Sequence, residues 1–235
     1  MTTERTASDL LTDTYNRKIS NIRIAVTSAC DLRCIYCHRE GEGDNGCTRD
    51  DRTPQMTKEE ISELIGVFAE LGVRTIKLTG GEPLLRPDLL DIIRSIPANI
   101  ESSLTTNGTH LAELAPQLKA AGLSRVNVSL DSMNRETYKK ITGKDRLKNV
   151  LDGIDAALEA GLTPVKLNMV VLKGMNDHEI DDFLAFVRAR GENLILQIIE
   201  LMELTDGRTA WTLPFMEMPN WLPLLKRSSP STHLR

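Results

Sequence analysis

The chain has 235 residues, is 40% hydrophobic and 26% charged, and carries a formal net charge of −4. That length and composition suit one large α/β domain or two small ones and argue against extended disorder. The mild charge gives no support for nucleic-acid binding, and no apolar run reaches the roughly 18 residues a membrane-spanning helix needs.

Residues 1–20 are polar and charged, without an apolar signal core, and read as an N-terminal arm on a cytoplasmic protein. In that reducing compartment, clustered cysteines bind metal or do chemistry more often than they form disulfides. Ile22 to Thr27 alternates like a first strand and runs directly into a cysteine segment. Gly41 to Pro54, rich in Gly, Asp and Arg, reads as a loop. Thr57 and Glu60 form a capping-box pair, and Ile61, Leu64, Ile65, Phe68 and Leu71 follow at helical spacing. Val73 to Thr79 is the second strand, broken by Gly80-Gly81-Glu82-Pro83, and Asp88 is placed to cap a helix bearing Leu89, Ile92, Ile93 and Ile96.

The alternation continues with a strand over Ser102 to Thr106, a helix from Leu111 to Ala121 interrupted by Pro116, and a strand over Arg125 to Leu130. Leu147, Val150, Leu151, Ile154 and Leu158 mark a further helix. Pro164 to Leu172 is a strand, and Glu179 to Arg188 is a helix that Asn176 or Asp177 is placed to cap. Leu194 to Leu201 is the sixth strand. Six alternations of β-branched strands with helices predict a parallel sheet with helices outside. An open doubly wound sheet and a curved partial barrel both fit. In either, the site lies at the C-terminal ends of the strands. The expected organisation is an arm over 1–20, a barrel-like domain over 21–204 and an atypical tail over 205–235. That tail holds Trp211 and Trp221 and lacks the strand–helix period.

Cys30, Cys34 and Cys37 stand at a C-x3-C-x2-C spacing. Thiolates are soft ligands that suit iron–sulfur clusters and zinc. A [4Fe–4S] cluster usually takes four cysteines, so three leave one iron open, as a catalytic site needs. A zinc knuckle completed by Cys47 or His38, or three inert thiols, are the alternatives that spacing leaves open. The position after the first strand of an alternating fold favours catalysis. Charges inside strands are unusual unless they line a site, which draws notice to Arg23, Lys77 and Lys166.

The spaced cysteines with Tyr36 before the last, followed in order by Gly80-Gly81-Glu82, resemble the radical S-adenosylmethionine (SAM) superfamily. The segments Ile22 to Thr27, Leu78 to Leu84, Leu104 to Gly108 and Val126 to Asp131 resemble more narrowly the GTP 3′,8-cyclases of molybdenum cofactor synthesis, and Cys37 to Gly41 resembles their archaeal branch. This resemblance spans roughly residues 14–204. It implies a partial (β/α)6 barrel of the TIM type and a lyase that forms a carbon–carbon bond. One [4Fe–4S] cluster on Cys30, Cys34 and Cys37 would bind SAM and cleave it to a 5′-deoxyadenosyl radical, which starts conversion of GTP to 3′,8-cyclo-7,8-dihydro-GTP. It further implies SAM contacts from Tyr36, Gly81, Glu82, Ser129 and Met202, with the Glu82 carboxylate or nearby carbonyls accepting from the methionine amino group. GTP contacts would come from Arg23, Lys77, Thr105 and Lys166. The family's second, C-terminal cysteine cluster has no counterpart, because no cysteine follows Cys47. The expectation is therefore a cyclase core cut short or frame-shifted near residue 205, competent to cleave SAM but impaired in cyclisation. An uncovered barrel side would favour a homodimer or larger association. The other readings are a radical enzyme acting on a peptide or another small molecule, and a zinc-binding structural module. The electron donor is not named by any residue pattern.

Overall fold

The computed structural model describes residues 11–37 and 55–201. Met202, Cys47, both tryptophans and the 41–54 loop lie outside the described residues.

Six strands pair in parallel in the order of the chain: β1 (Asn21–Ala25), β2 (Thr75–Thr79), β3 (Glu101–Thr106), β4 (Arg125–Ser129), β5 (Val165–Val171) and β6 (Leu194–Glu200). That order decides between the two predicted architectures. A doubly wound sheet reverses direction at a switch point, whereas here every crossover steps the same way. With right-handed crossovers, all helices then fall on one face and the sheet winds as a partial barrel.

The helices are α1 (Lys58–Glu70), α2 (Leu89–Arg94), α3 (Leu111–Ala120), α4 (Arg135–Thr142), α5 (Leu147–Glu159) and α6 (Ile180–Arg190). The α1 capping box forms as read, with the Thr57 hydroxyl accepting from the Glu60 N–H and the Glu60 carboxylate accepting from the Thr57 N–H. Two other expected caps do not form. The Asp88 carboxylate is taken by Arg86, and the Asn176 side chain reaches back to the Leu172 N–H and to the carbonyls of Asp131 and Val170. Helix α4 was not foreseen. Its eight residues carry two large apolar side chains, Tyr138 and Ile141, too few to show a periodic stripe. Asn134 caps it and Gly143 ends it in the left-handed conformation.

Alternation along each strand sorts the sheet into two faces. Ile24, Ile76, Leu78, Leu104, Val126, Val128, Leu167 and Met169 are buried under Ile61, Ile65, Ile92, Leu118, Ile154 and Phe183 of the helices. The inner face carries Arg23, Lys77, Ser103, Arg125, Asn127, Lys166 and Asn168 instead. Part of the expected arm docks on this body. Thr12 bridges Lys18, the Leu11 N–H reaches the Leu71 carbonyl, and Leu11 packs against the core.

Candidate functional site

The chain leaves β1 at Ala25 and crosses the C-terminal ends of the strands as the cysteine loop. Backbone hydrogen bonds seat it at both ends. Gly81 N–H donates to Thr27 O and Glu82 N–H to Ala29 O, each at 2.7 Å, while Arg33 N–H reaches Thr142 O and Ile35 N–H reaches Ile141 O at 2.9 Å. The glycine pair is there for contact. A Cβ on Gly80 would lie 2.2 Å from Thr27 O, and one on Gly81 would lie 2.4 Å from Ala29 O and 2.6 Å from Ser28 O. Only bare backbone lets the two segments approach this closely.

Cys30 and Cys37 are exposed and Cys34 is half-buried. Burial pushes the Cys34 thiol far above its ordinary range, with Asp131 adding to the effect, and burial also raises Cys30. Thiols so placed ionise only when a cation or metal centre offsets the charge. Among the described residues, no three Cys, His, Asp or Glu side chains converge on one ion-sized point. A [4Fe–4S] cube takes each thiolate on a different iron, so it does not require three thiolates to meet at one ion. The Asn107 amide donates to Asp31 Oδ1 at 2.7 Å and lies 3.9 Å from Cys30 Sγ, and Thr109 Oγ1 donates to Asp31 Oδ2 at 2.9 Å.

Two buried carboxylates hold the surroundings. Glu82 accepts from Thr106 Oγ1 (2.7 Å), Asn107 N–H (2.6 Å) and Leu84 N–H (2.9 Å), so it ties the end of β2 to the turn after β3. Burial raises it to about 7 despite those donors. Asp131, just past β4, accepts from the Tyr36 hydroxyl at 2.6 Å and from Val170 N–H at 2.9 Å. Burial raises it to about 6. The Tyr36 ring packs against a small apolar group of Ile141, Leu172 and Leu201.

Below the loop, the inner sheet face is cationic. Arg23 pairs in register with Lys77, Lys77 with Ser103, and Ser103 with Arg125, while Lys166 stands beside Asn127. Burial lowers the Lys77 pKa first, and Arg23, Arg125 and Lys166 lower it further. Glu101 pairs with Arg125. Ser103 Oγ, Arg125 Nε, Asn127 Oδ1 and Asn168 Oδ1 are buried without a hydrogen-bond partner. A face of gathered cations and unpaired polar atoms suits an anionic, hydrogen-bonding occupant.

Residues 24–187 match the family model of the radical SAM superfamily. The chain belongs to that superfamily. Proteins named "Probable GTP 3′,8-cyclase" from Methanocella arvoryzae and Archaeoglobus fulgidus are 52% identical over 194 residues and 50% identical over 196. Each alignment covers 82% of this chain but 60% and 64% of those proteins, so the chain spans about three-fifths of the relatives' length. Among solved structures, HydG, a maturase of the [FeFe]-hydrogenase, superposes with a TM-score of 0.64 at 16% identity, covering 90% of this chain and 50% of its own. Streptococcus suis SuiB does so at 0.63 and 17%, covering 80% of this chain and 41% of its own. At such identities these two establish likeness of fold.

A radical SAM protein carries a [4Fe–4S] cluster and SAM, and the residues singled out from sequence divide between two levels of the barrel. Cys30, Cys34, Cys37, Tyr36, Gly81 and Glu82 meet at the C-terminal mouth, and Ser129 ends β4 on the inner face. Arg23, Lys77, Thr105 and Lys166 share that face lower down. Of the two groups the resemblance offered at Glu82, the carboxylate is already engaged within the fold. The Glu82 carboxylate is fully buried and engaged by three donors, and the Glu82 carbonyl accepts from Leu85 N–H at 3.1 Å. The Tyr36 hydroxyl is engaged by Asp131. Sequence reasoning passed over Asn107, Asp131 and Arg125. Two lie in quoted motifs, Leu104 to Gly108 and Val126 to Asp131, but their bonds join segments 76 to 95 positions apart. No helix among the described residues is long and apolar enough to cross a membrane.

Proposed function

We propose that this chain is the catalytic core of a GTP 3′,8-cyclase, a carbon–carbon-bond-forming lyase of molybdopterin synthesis. The observation that carries the reading is a single barrel face with Arg23, Lys77, Arg125 and Lys166 gathered beneath a three-cysteine loop. The names of the half-identical relatives support it.

Cys30, Cys34 and Cys37 would hold one [4Fe–4S] cluster, which when bound supplies the electron for reductive cleavage of SAM. The Gly81 carbonyl would accept from the methionine amino group, because the Glu82 carboxylate is spent on Thr106, Asn107 and Leu84 and the Glu82 carbonyl on Leu85. Tyr36 borders the adenine by its backbone, held by its hydroxyl on Asp131. Ser129 and Met202 complete the SAM contacts. Arg23, Lys77 and Lys166 neutralise a triphosphate, and Thr105 bonds to it. Desolvation inside the barrel strengthens these charge contacts.

The test is anaerobic reconstitution with iron and sulfide, followed by SAM, dithionite and GTP deuterated at C3′. Deuterium in the 5′-deoxyadenosine supports the reading. Deoxyadenosine formed without deuterium transfers the assignment to another substrate, such as a peptide. Stoichiometric zinc without acid-labile sulfide reassigns the chain as a structural zinc module.

A further inference from the structure

The inner face of the sheet changes chemistry with depth. Above a floor of Asn21, Thr75 and Glu101 stands a rung of Arg23, Lys77, Ser103 and Arg125, in which Arg125 pairs with Glu101. The next holds Thr105, Asn127 and Lys166, and the one above holds Ser129, Asn168 and Gln197. The cysteine loop then covers the strand ends. Positive charge is thus concentrated on these two rungs, with the Asn127 amide beside Lys166 and the Asn168 amide one rung nearer the loop.

Two of those amides are anomalous. Asn127 is only 5% exposed, and its Oδ1 has no partner. Asn168 Oδ1 is likewise buried and unpartnered. An unpaired buried acceptor is destabilising, and valine or isoleucine would fit a strand interior without that cost. The flanking residues Val126, Val128, Leu167 and Met169 on the other face follow that apolar rule. Two acceptors kept one rung apart, one beside Lys166 and one above it, therefore ask for donors from the occupant. Phosphates and carboxylates bring none. Vicinal sugar hydroxyls bring two.

We propose that Asn127 and Asn168 are specificity-determining residues that accept hydrogen bonds from the ribose hydroxyls of a nucleoside triphosphate whose phosphates lie on the cation rung. The assignment rests on the nucleotide reading above and extends it to two side chains. It sets the direction of the substrate in the barrel, with phosphates deep and ribose at the height where Ser129 and the cysteine loop converge.

The experiment is equilibrium dialysis of the cluster-loaded full chain with GTP, 2′-deoxy-GTP and 3′-deoxy-GTP, with inorganic tripolyphosphate as competitor. The wild type should bind GTP about tenfold tighter than at least one deoxy analogue, the size of one net buried hydrogen bond. Asn127→Ala and Asn168→Ala should weaken GTP by about the same factor, leave a deoxy analogue unchanged, and so erase the preference. Displacement by tripolyphosphate should persist in both variants, which reports an intact fold and cation rung. Equal wild-type affinity for all three nucleotides overturns the proposal while the nucleotide reading stands, and needs no variant. A preference that survives both substitutions overturns it too. If neither GTP nor tripolyphosphate binds the wild type, the nucleotide reading fails and the proposal with it.

Discussion

Replacing Gly81 with alanine adds one methyl group where the structure has no room for it. The new Cβ would stand 2.4 Å from Ala29 O and 2.6 Å from Ser28 O, against an ordinary contact of at least 3.4 Å. Both neighbours are backbone, so no rotamer change relieves the clash. The cysteine loop must retreat by about 1 Å or the β2 turn must twist, and the two 2.7 Å hydrogen bonds to Thr27 and Ala29 lengthen with it. Overpacking of this kind costs about 1–3 kcal/mol of stability. The larger loss is geometric, because a displacement near 1 Å at a reacting centre lowers rates by about 100-fold. Gly81→Ala should therefore unfold at lower urea concentration, bind less iron per chain on anaerobic reconstitution, and form 5′-deoxyadenosine about 100-fold more slowly. Gly66 serves as the control, since nothing lies within 4 Å of its added Cβ in α1. Gly66→Ala should raise stability by about 0.5–1 kcal/mol with SAM cleavage unchanged. Full iron loading and a wild-type cleavage rate in Gly81→Ala would refute the close-approach reasoning.

Tyr36→Phe removes a donor from the buried Asp131 carboxylate and should cost about 1–3 kcal/mol, read by urea unfolding, together with a weaker SAM affinity. Unchanged stability would show that the bond does not hold the loop. The iron-free protein should lose stability as pH rises. Glu82 moves from an ordinary 4.5 to about 7 and Asp131 from 3.8 to about 6, so both hold protons more tightly folded than unfolded. Their contribution is fully present below about pH 4 and is lost as pH passes through 6 and 7, with the Glu82 share on the order of 3 kcal/mol. Urea titrations across that range should show a shallower fall in Glu82→Gln, and an identical slope would count against the assignment. Cys30→Ala should abolish iron–sulfur absorbance after reconstitution while Cys47→Ala keeps it, and retention by the first would end the three-cysteine reading.

The strands and most helices were legible because they depend on local periodicity. Ile22 and Ile24, or Ile76 and Leu78, announce a strand wherever the chain goes. The cysteine spacing with Tyr36 and the Gly80-Gly81-Glu82 turn likewise carried the family in the sequence itself. Three things were decided only on folding. Sequential strand order gave a partial barrel, since an open sheet has the same alternation and differs only in which crossovers reverse. Register placed Arg23, Lys77, Arg125 and Lys166 on one face, and a one-residue slip would have turned any of them into the helix layer. Side-chain partners were settled last. Asn176 is placed in sequence to cap a helix and Tyr36 sits within the cysteine loop, yet both bond to Asp131, which only the closed fold brings within reach, because a buried polar atom takes the best partner in space rather than in sequence.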